Sequence, residues 1–178
     1  MRNVVLIGGP TGSGKSAVAI ALARKLDSYG GAVIINSDAM QVYKDLRILT
    51  SRPSLEDELI CPHRLYGFFS AVNSCSVGIW KKYAEAAILF AWDIGAVPIV
   101  VGGTGLYFKA LENGLAEIPL VNQTFKQEAN QILDKEGVAG LYADLKKMDP
   151  VSASHLRPTD TQRIVRAWEV QRSTGRSI

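Results

Sequence analysis

The stretch Gly9-Pro10-Thr11-Gly12-Ser13-Gly14-Lys15-Ser16 constrains this chain more than any other. It satisfies G-x-x-x-x-G-K-[ST] at every defined position, and the apolar run Val4-Val5-Leu6-Ile7 leads into it. Ala17, Val18, Ala21, Leu22 and Leu26 then recur at helical spacing. Strand, loop and helix in that order separate a phosphate-binding loop from a chance glycine-rich turn. The glycines let backbone N–H groups turn inward around an anion, and Lys15 adds a point charge. The helix N-terminus contributes its partial positive charge. Ser16 offers a hydroxyl to Mg²⁺, the cofactor expected to bridge the phosphate oxygens, and is the one metal ligand assigned. The loop does not say whose phosphates it holds, those of ATP or those of another substrate.

Two further apolar runs behave like the first. Ala32-Val33-Ile34-Ile35 ends at Asn36-Ser37-Asp38, and Val97 to Val101 ends at Gly102-Gly103-Thr104-Gly105. Between them, Ile79, Tyr83, Ala86, Ala87 and Phe90 predict a helix over residues 77–94, closed by Gly95. Residues 44–76 read as irregular. Strands apolar throughout, alternating with helices, predict an α/β fold: a P-loop NTPase-like parallel sheet covered by helices on both faces. Beyond about Glu117 no strand pattern remains, and helices are expected over 124–135, 139–148 and 159–173. A capping box, Thr159-Asp160-Thr161-Gln162, should open the last of these and Gly175 should stop it. The expected division is a catalytic core at 1–117 and a C-terminal helical segment at 118–178.

A hydrophobic fraction of 47% with 21% charged residues is that of a globular chain. The N-terminal apolar run is cut short by Gly8, Gly9 and Pro10, and no stretch reaches membrane-spanning length. Cys61 and Cys75 form no CxxC pair. These features predict a reduced, cytoplasmic protein with no membrane partner. Positive and negative side chains balance upstream of residue 157, so the net charge of +3 resides wholly downstream. There Arg157, Arg163, Arg166, Arg172 and Arg176 outnumber Asp160 and Glu169, which locates a possible polyanion contact.

In a doubly wound sheet, ligands sit beyond the carboxyl ends of the strands. The phosphate loop, Asp38 and residues 102–105 should therefore converge. A carboxylate there can ligate a metal or act as a general base toward a nucleophile beside the phosphates; alternatively, Asp38 merely caps a helix beginning near Met40. The third strand carries no terminal acid of the kind that organises Mg²⁺ in motor ATPases, while small-molecule kinases remain open.

Four segments, GGPTGSGKS, IINSDAMQVYKDL, VPIVVGGTGLYFKAL and RPTDTQRIVRAWEVQRSTGR, together resemble the tRNA dimethylallyltransferase (tRNA isopentenyltransferase) family. They occur in the family's order from residue 8 to residue 176. The resemblance implies transfer of a dimethylallyl group from dimethylallyl diphosphate to the exocyclic amine of the adenine adjacent to the anticodon in tRNA. It implies that Thr11 and Lys15, with the rest of residues 9–16, hold the diphosphate leaving group, and that Asp38 takes the proton from the amine. Asp38, Ala39, Met40 and Gln41 would line the pocket for the flipped base. Thr104, Lys126 and the helix positions Gln162, Arg163, Ile164, Val165 and Arg166 would contact the anticodon-loop RNA, the protein acting as a monomer. Ile164, Val165 and Trp168 can also pack the opposite side of that helix.

Ala39 stands where the family commonly has Ser, and Arg47-Ile48-Leu49-Thr50-Ser51-Arg52-Pro53 replaces its usual Asp-Ile-Gly-Thr-Ala-Lys-Pro. Family members continue past the position of Ile178, and the resemblance places a further catalytic arginine there. Competing expectations are a small-molecule kinase of the shikimate or gluconate type, an inactive truncated RNA-binding remnant, and prenyl transfer to free adenine nucleotides.

Overall fold

A computed structural model describes residues 2–115 and 121–177, which form two compact units divided at Leu115. The expected boundary at residue 117 lies outside the described residues.

The first unit is built on a four-stranded sheet in the order β1-β4-β2-β3, with every pairing parallel. Its strands are β1 (Val5–Gly8), β2 (Ala32–Asn36), β3 (His63–Arg64) and β4 (Val97–Gly102). Side chains alternate between the faces of a strand. Accordingly, Ala32 and Ile34 of β2, with Ile99 and Val101 of β4, pack against Ala19 and Ala23 of α1 (Lys15–Leu26). Val33, Ile35 and Val100 point the other way, onto Trp80, Ala84, Ala87 and Ala91 of α3 (Val77–Asp93) and Tyr107 of α4 (Gly105–Asn113). Both faces are covered, which explains why these strands are apolar at every position rather than at every second one. Trp80 is fully buried. Its ring stacks on Tyr107 at 4.0 Å, and its indole N–H donates to Asn36 O at 2.8 Å.

The region expected to be irregular is partly ordered. It contains α2 (Leu55–Ile60), opened by a complete capping box in which Ser54 Oγ accepts from the Asp57 amide and the Asp57 carboxylate accepts from the Ser54 amide. It also contains β3, whose His63 pairs with Ile34. A six-residue helix and a two-residue polar strand are too short to generate a periodic pattern, so tertiary pairing decides them.

The second unit is helical: α5 (Gln123–Met148), α6 (Pro150–Ser154) and α7 (Thr161–Thr174). Gly137, at φ 69 and ψ −171, breaks α5 between the two helices expected at 124–135 and 139–148. Ala129, Leu141, Leu145, Ala153, Ile164, Ala167 and Trp168 form the unit's own core. The Trp168 indole donates to Asp144 Oδ2 at 2.8 Å. Gly175 closes α7 in a left-handed conformation, as expected. The capping box at Thr159 does not form: Asp160 occupies the cap position without a side-chain cap bond. Thr159 sits instead in a turn closed by the Asp160 amide on Arg157 O, and the Asp160 carboxylate pairs with Arg163 at 3.4 Å. Among the described residues no helix is long and apolar enough to cross a membrane.

Candidate active site

The phosphate loop joins β1 to α1. Gly14 is the residue before the helix and adopts φ 83, a left-handed conformation that an L side chain rarely takes; Gly12 does the same at φ 78. The Gly14 carbonyl accepts from the Val18 amide at 3.1 Å, so the loop runs directly into the helical ladder. Lys15 Nζ donates to Pro10 O at 2.5 Å, which holds the ammonium over its own loop.

Asn36, the last residue of β2 and fully buried, fixes the path of the chain beyond the strand. Its Oδ1 accepts from the Asp38 amide at 3.0 Å, while its Nδ2 donates to Asp38 O at 3.0 Å and to Leu65 O at 3.1 Å. The loops leaving β2 and β3 are thereby pinned to one amide. Asp38 Oδ1 accepts from the Met40 and Gln41 amides at 2.9 and 3.4 Å. The segment it closes is a turn, not the start of a helix. Asp38 Oδ2 lies 3.7 Å from where a Cβ on Gly103 would stand, so the carboxylate faces the end of β4.

β4 closes in tightly at this point. A Cβ on Gly102 would fall 2.1 Å from Ser37 O, so only glycine lets the two strand ends approach this closely. The Ser37 amide donates to Val101 O at 2.7 Å, and the Thr104 amide donates to Ser37 O at 3.1 Å. Thr104 Oγ1 accepts from the Ala39 amide at 2.9 Å, leaving its hydroxyl proton free to donate. Gln41 extends the construction. Its Nε2 donates to Thr50 O at 2.9 Å, and its carbonyl accepts from the Gly67 amide at 2.9 Å.

These elements enclose a cavity of about 590 Å³. Residues 11–17 form one wall and Asp38, Met40 and Gln41 another; residues 49–51, Tyr66, Val101 and Gly102 complete it. The phosphate loop, Asp38, Met40 and Gln41 thus share one cavity, and Ala39 and Thr104 are bonded to each other at its edge. Burial pushes the Tyr66 phenol well above its ordinary range, and the Asp38 carboxylate adds to the effect, so the hydroxyl stays neutral. Ser51 (φ 50) and Leu65 (φ 64) are the non-glycine residues with left-handed backbone among those described; Ser51 lines the cavity and Leu65 immediately precedes Tyr66, which does.

Lys126 and residues 162–166 belong to the helical unit. Lys126 is exposed near the start of α5. On α7, Gln162 and Arg163 are exposed, whereas Arg166 is half-buried and pairs with Glu169 at 3.6 Å. Ile164 is fully buried and Val165 packs beside it, so these two side chains hold the helix to its core rather than facing outward.

Asn36, Thr50, Ser51 and Tyr66 are not among the site residues expected from the sequence. Asn36 had a readable signal, a lone amide ending an otherwise apolar strand. Thr50 and Ser51 fall in the stretch that departs from the family's usual sequence and are tied to the site by Gln41, while Tyr66 is brought there by β3 pairing and the Asn36 bond, contacts distant in sequence.

The profile of the IPP transferase family matches residues 41–178, and that of the Zeta toxin family matches residues 2–45. The tRNA dimethylallyltransferases of Rhodospirillum rubrum and Methylocella silvestris are each 49% identical over 98% of this chain. The matched region is 52% and 56% of those relatives, so the chain spans about half their length. Among solved structures, a eukaryotic dimethylallyltransferase acting on tRNA superposes over 98% of this chain and 42% of its own, with a TM-score of 0.80 and 32% identity. The tRNA isopentenylpyrophosphate transferase of Bacillus halodurans does so over 98% and 57%, with a TM-score of 0.61 and 31% identity. The fold, the order of the motifs and these relatives agree: the chain belongs to the IPP transferase family.

Proposed function

We propose that this chain carries the donor site and general base of a tRNA dimethylallyltransferase. In this reading the exocyclic amine of the adenine adjacent to the anticodon attacks C1 of dimethylallyl diphosphate. The C1–O bond breaks as the N–C1 bond forms, diphosphate leaves into the phosphate loop, and the amine's proton passes to Asp38. The observation that carries the reading is a single cavity lined by both the phosphate loop and Asp38. A loop built to bind anions stabilises the departing diphosphate, where charge develops in the transition state. Asn36 and the Met40 amide orient the carboxylate that must meet the amine.

Mg²⁺ fits the donor set here. Among the described residues no cluster of His, Cys, Asp or Glu could cage a metal. Mg²⁺ is commonly held by few protein oxygens together with phosphates and water. Ser16 would supply the protein oxygen, and the ion would neutralise charge on the leaving diphosphate. The acceptor base must leave its stack to reach the cavity, which costs least in a single-stranded loop. Met40, Gln41, Ala39 and Thr104 would receive it, and Lys126, Gln162, Arg163 and Arg166 would contact the RNA. The protein would act as a cytoplasmic monomer.

The test is incubation with labelled dimethylallyl diphosphate, Mg²⁺ and a tRNA bearing adenine beside the anticodon. Label transferred to that adenine is the expected outcome. ATP turnover on a small hydroxy acid, with no labelled tRNA, would establish a kinase instead.

A further inference from the structure

We infer that Tyr66 is the wall that recognises the prenyl chain of the donor, an inference that rests on the prenyl-donor reading of the cavity. Tyr66 lies just beyond β3, and its ring packs into the apolar cluster between α1 and the sheet while lining the same cavity as residues 11–17. It is the one aromatic side chain on that lining among the described residues. Of the other large apolar groups there, Met40 is 52% exposed and Leu49 is 80% exposed, while Val101, smaller and buried, adds to the same apolar side. The cavity therefore sets an aromatic wall at Tyr66 against a polar side marked by Asp38 and Gln41, all three half-buried.

The two substrates differ in what they need from that contrast. The donor's five-carbon tail carries no polar atom and is tethered to the diphosphate, so it cannot lie far from the phosphate loop. Removing it from water favours the buried apolar wall. The acceptor base carries polar edges and must place its amine at Asp38, so the polar side suits it better. The phenol remains neutral at all ordinary pH, held so by burial and by the Asp38 charge, and the ring therefore behaves as an apolar surface. Its hydroxyl has no assigned part in holding the tail.

The experiment compares affinities of the 178-residue chain for dimethylallyl diphosphate and inorganic diphosphate, both with Mg²⁺, by calorimetry. Wild type should prefer the prenylated ligand. Tyr66→Ala should lower that preference about tenfold, the effect of losing a substantial apolar contact, with inorganic diphosphate affinity unchanged. Tyr66→Phe should keep the preference. An unchanged ratio in Tyr66→Ala, or a fall in Tyr66→Phe, overturns the inference. No preference in the wild-type chain overturns the prenyl-donor reading itself. Should Tyr66→Ala lose inorganic diphosphate binding through misfolding, the wild-type chain decides by NMR. The donor's methyl protons should show cross-relaxation to a ring whose signals change in Tyr66→Phe, and its absence with ligand bound overturns the assignment. Adenosine binding weakened by Tyr66→Ala without any change in donor preference would make the ring a base-stacking platform instead.

Discussion

At the scale of single residues, the site rests on Asp38 and on the amide that aims it. Asp38 has one oxygen occupied by turn amides and the other facing the end of β4, which suits a carboxylate that must accept a proton in one direction. Asp38→Asn preserves shape and can still accept from the Met40 amide, but it cannot take a proton. Prenyl transfer to tRNA should therefore fall by ~10²–10⁴, the usual contribution of a general base, with dimethylallyl diphosphate affinity unchanged. Single-turnover rates alongside equilibrium binding separate the two; an unaltered rate removes Asp38 from the base role. The motif residues were legible because phosphate loops use local backbone geometry, which glycine spacing announces. Tyr66 was not legible: it is brought to the cavity by contacts distant in sequence, the pairing of β3 with β2 and the bond from Asn36 to Leu65 O 29 residues on.

At the scale of elements, the strand ends matter more than the strands. The sheet was readable because β2 and β4 are buried on both faces and so appear as unbroken apolar runs. β3 and α2 were not, and the box expected at Thr159 yielded to a turn, since local capping competes with turn closure. Gly102 ends β4 against the backbone of Ser37, just beyond β2. Gly102→Ala would drive a methyl group into Ser37 O, push the strand ends apart and break the Thr104–Ala39 bond. It should cost stability by ~2–4 kcal/mol, the range for overpacking with a buried polar group displaced, and abolish transfer. A melting temperature within a degree or two of wild type would contradict this. In the helical unit, Asp149 caps α6 by accepting from the Ser152 amide at 3.0 Å, and it accepts from Ser177 Oγ at 2.8 Å. Burial alone would raise its carboxyl. The bonds from Ser152, Ser177 and the Val151 amide outweigh burial and hold it below its ordinary value. A lowered folded-state pKa gives stability that is present above the unfolded value, about 3.9, and lost as pH falls through the folded value. Thermal melts across the acid range should show this loss in wild type and a flatter limb in Asp149→Asn. Parallel curves would assign the loss to other carboxylates.

At the scale of the whole molecule, two units carry separate cores, and the net charge of +3 resides in residues 157–178, the last stretch of the helical one. On α7, Ile164, Ala167, Trp168 and Val170 are buried, which leaves Gln162 and Arg163 outward and Arg166 at the margin. The arginines are already engaged along their own helix, Arg163 with Asp160 and Arg166 with Glu169. The Arg163–Asp160 pair is exposed and contributes little to stability, typically ~0.2–1 kcal/mol, so replacing Arg163 should scarcely move the melting temperature, whereas replacing Arg166 leaves the mostly buried Glu169 unpaired and should lower it. If α7 faces RNA, the same arginines exchange their carboxylate partners for phosphates and release counterions from the nucleic acid. Arg163→Ala and Arg166→Ala should then each weaken tRNA binding and reduce the slope of log affinity against log salt by about 0.7–0.9. Dimethylallyl diphosphate affinity should stay unchanged, since the donor cavity lies in the α/β unit. A fall in tRNA affinity with no change of slope would mean the arginines shape α7 rather than touch phosphate. A fall in donor affinity alone would reassign the helix to the diphosphate. The charge asymmetry visible in the sequence becomes informative only with α7's buried stripe, because that stripe decides which arginines are free to face a polyanion.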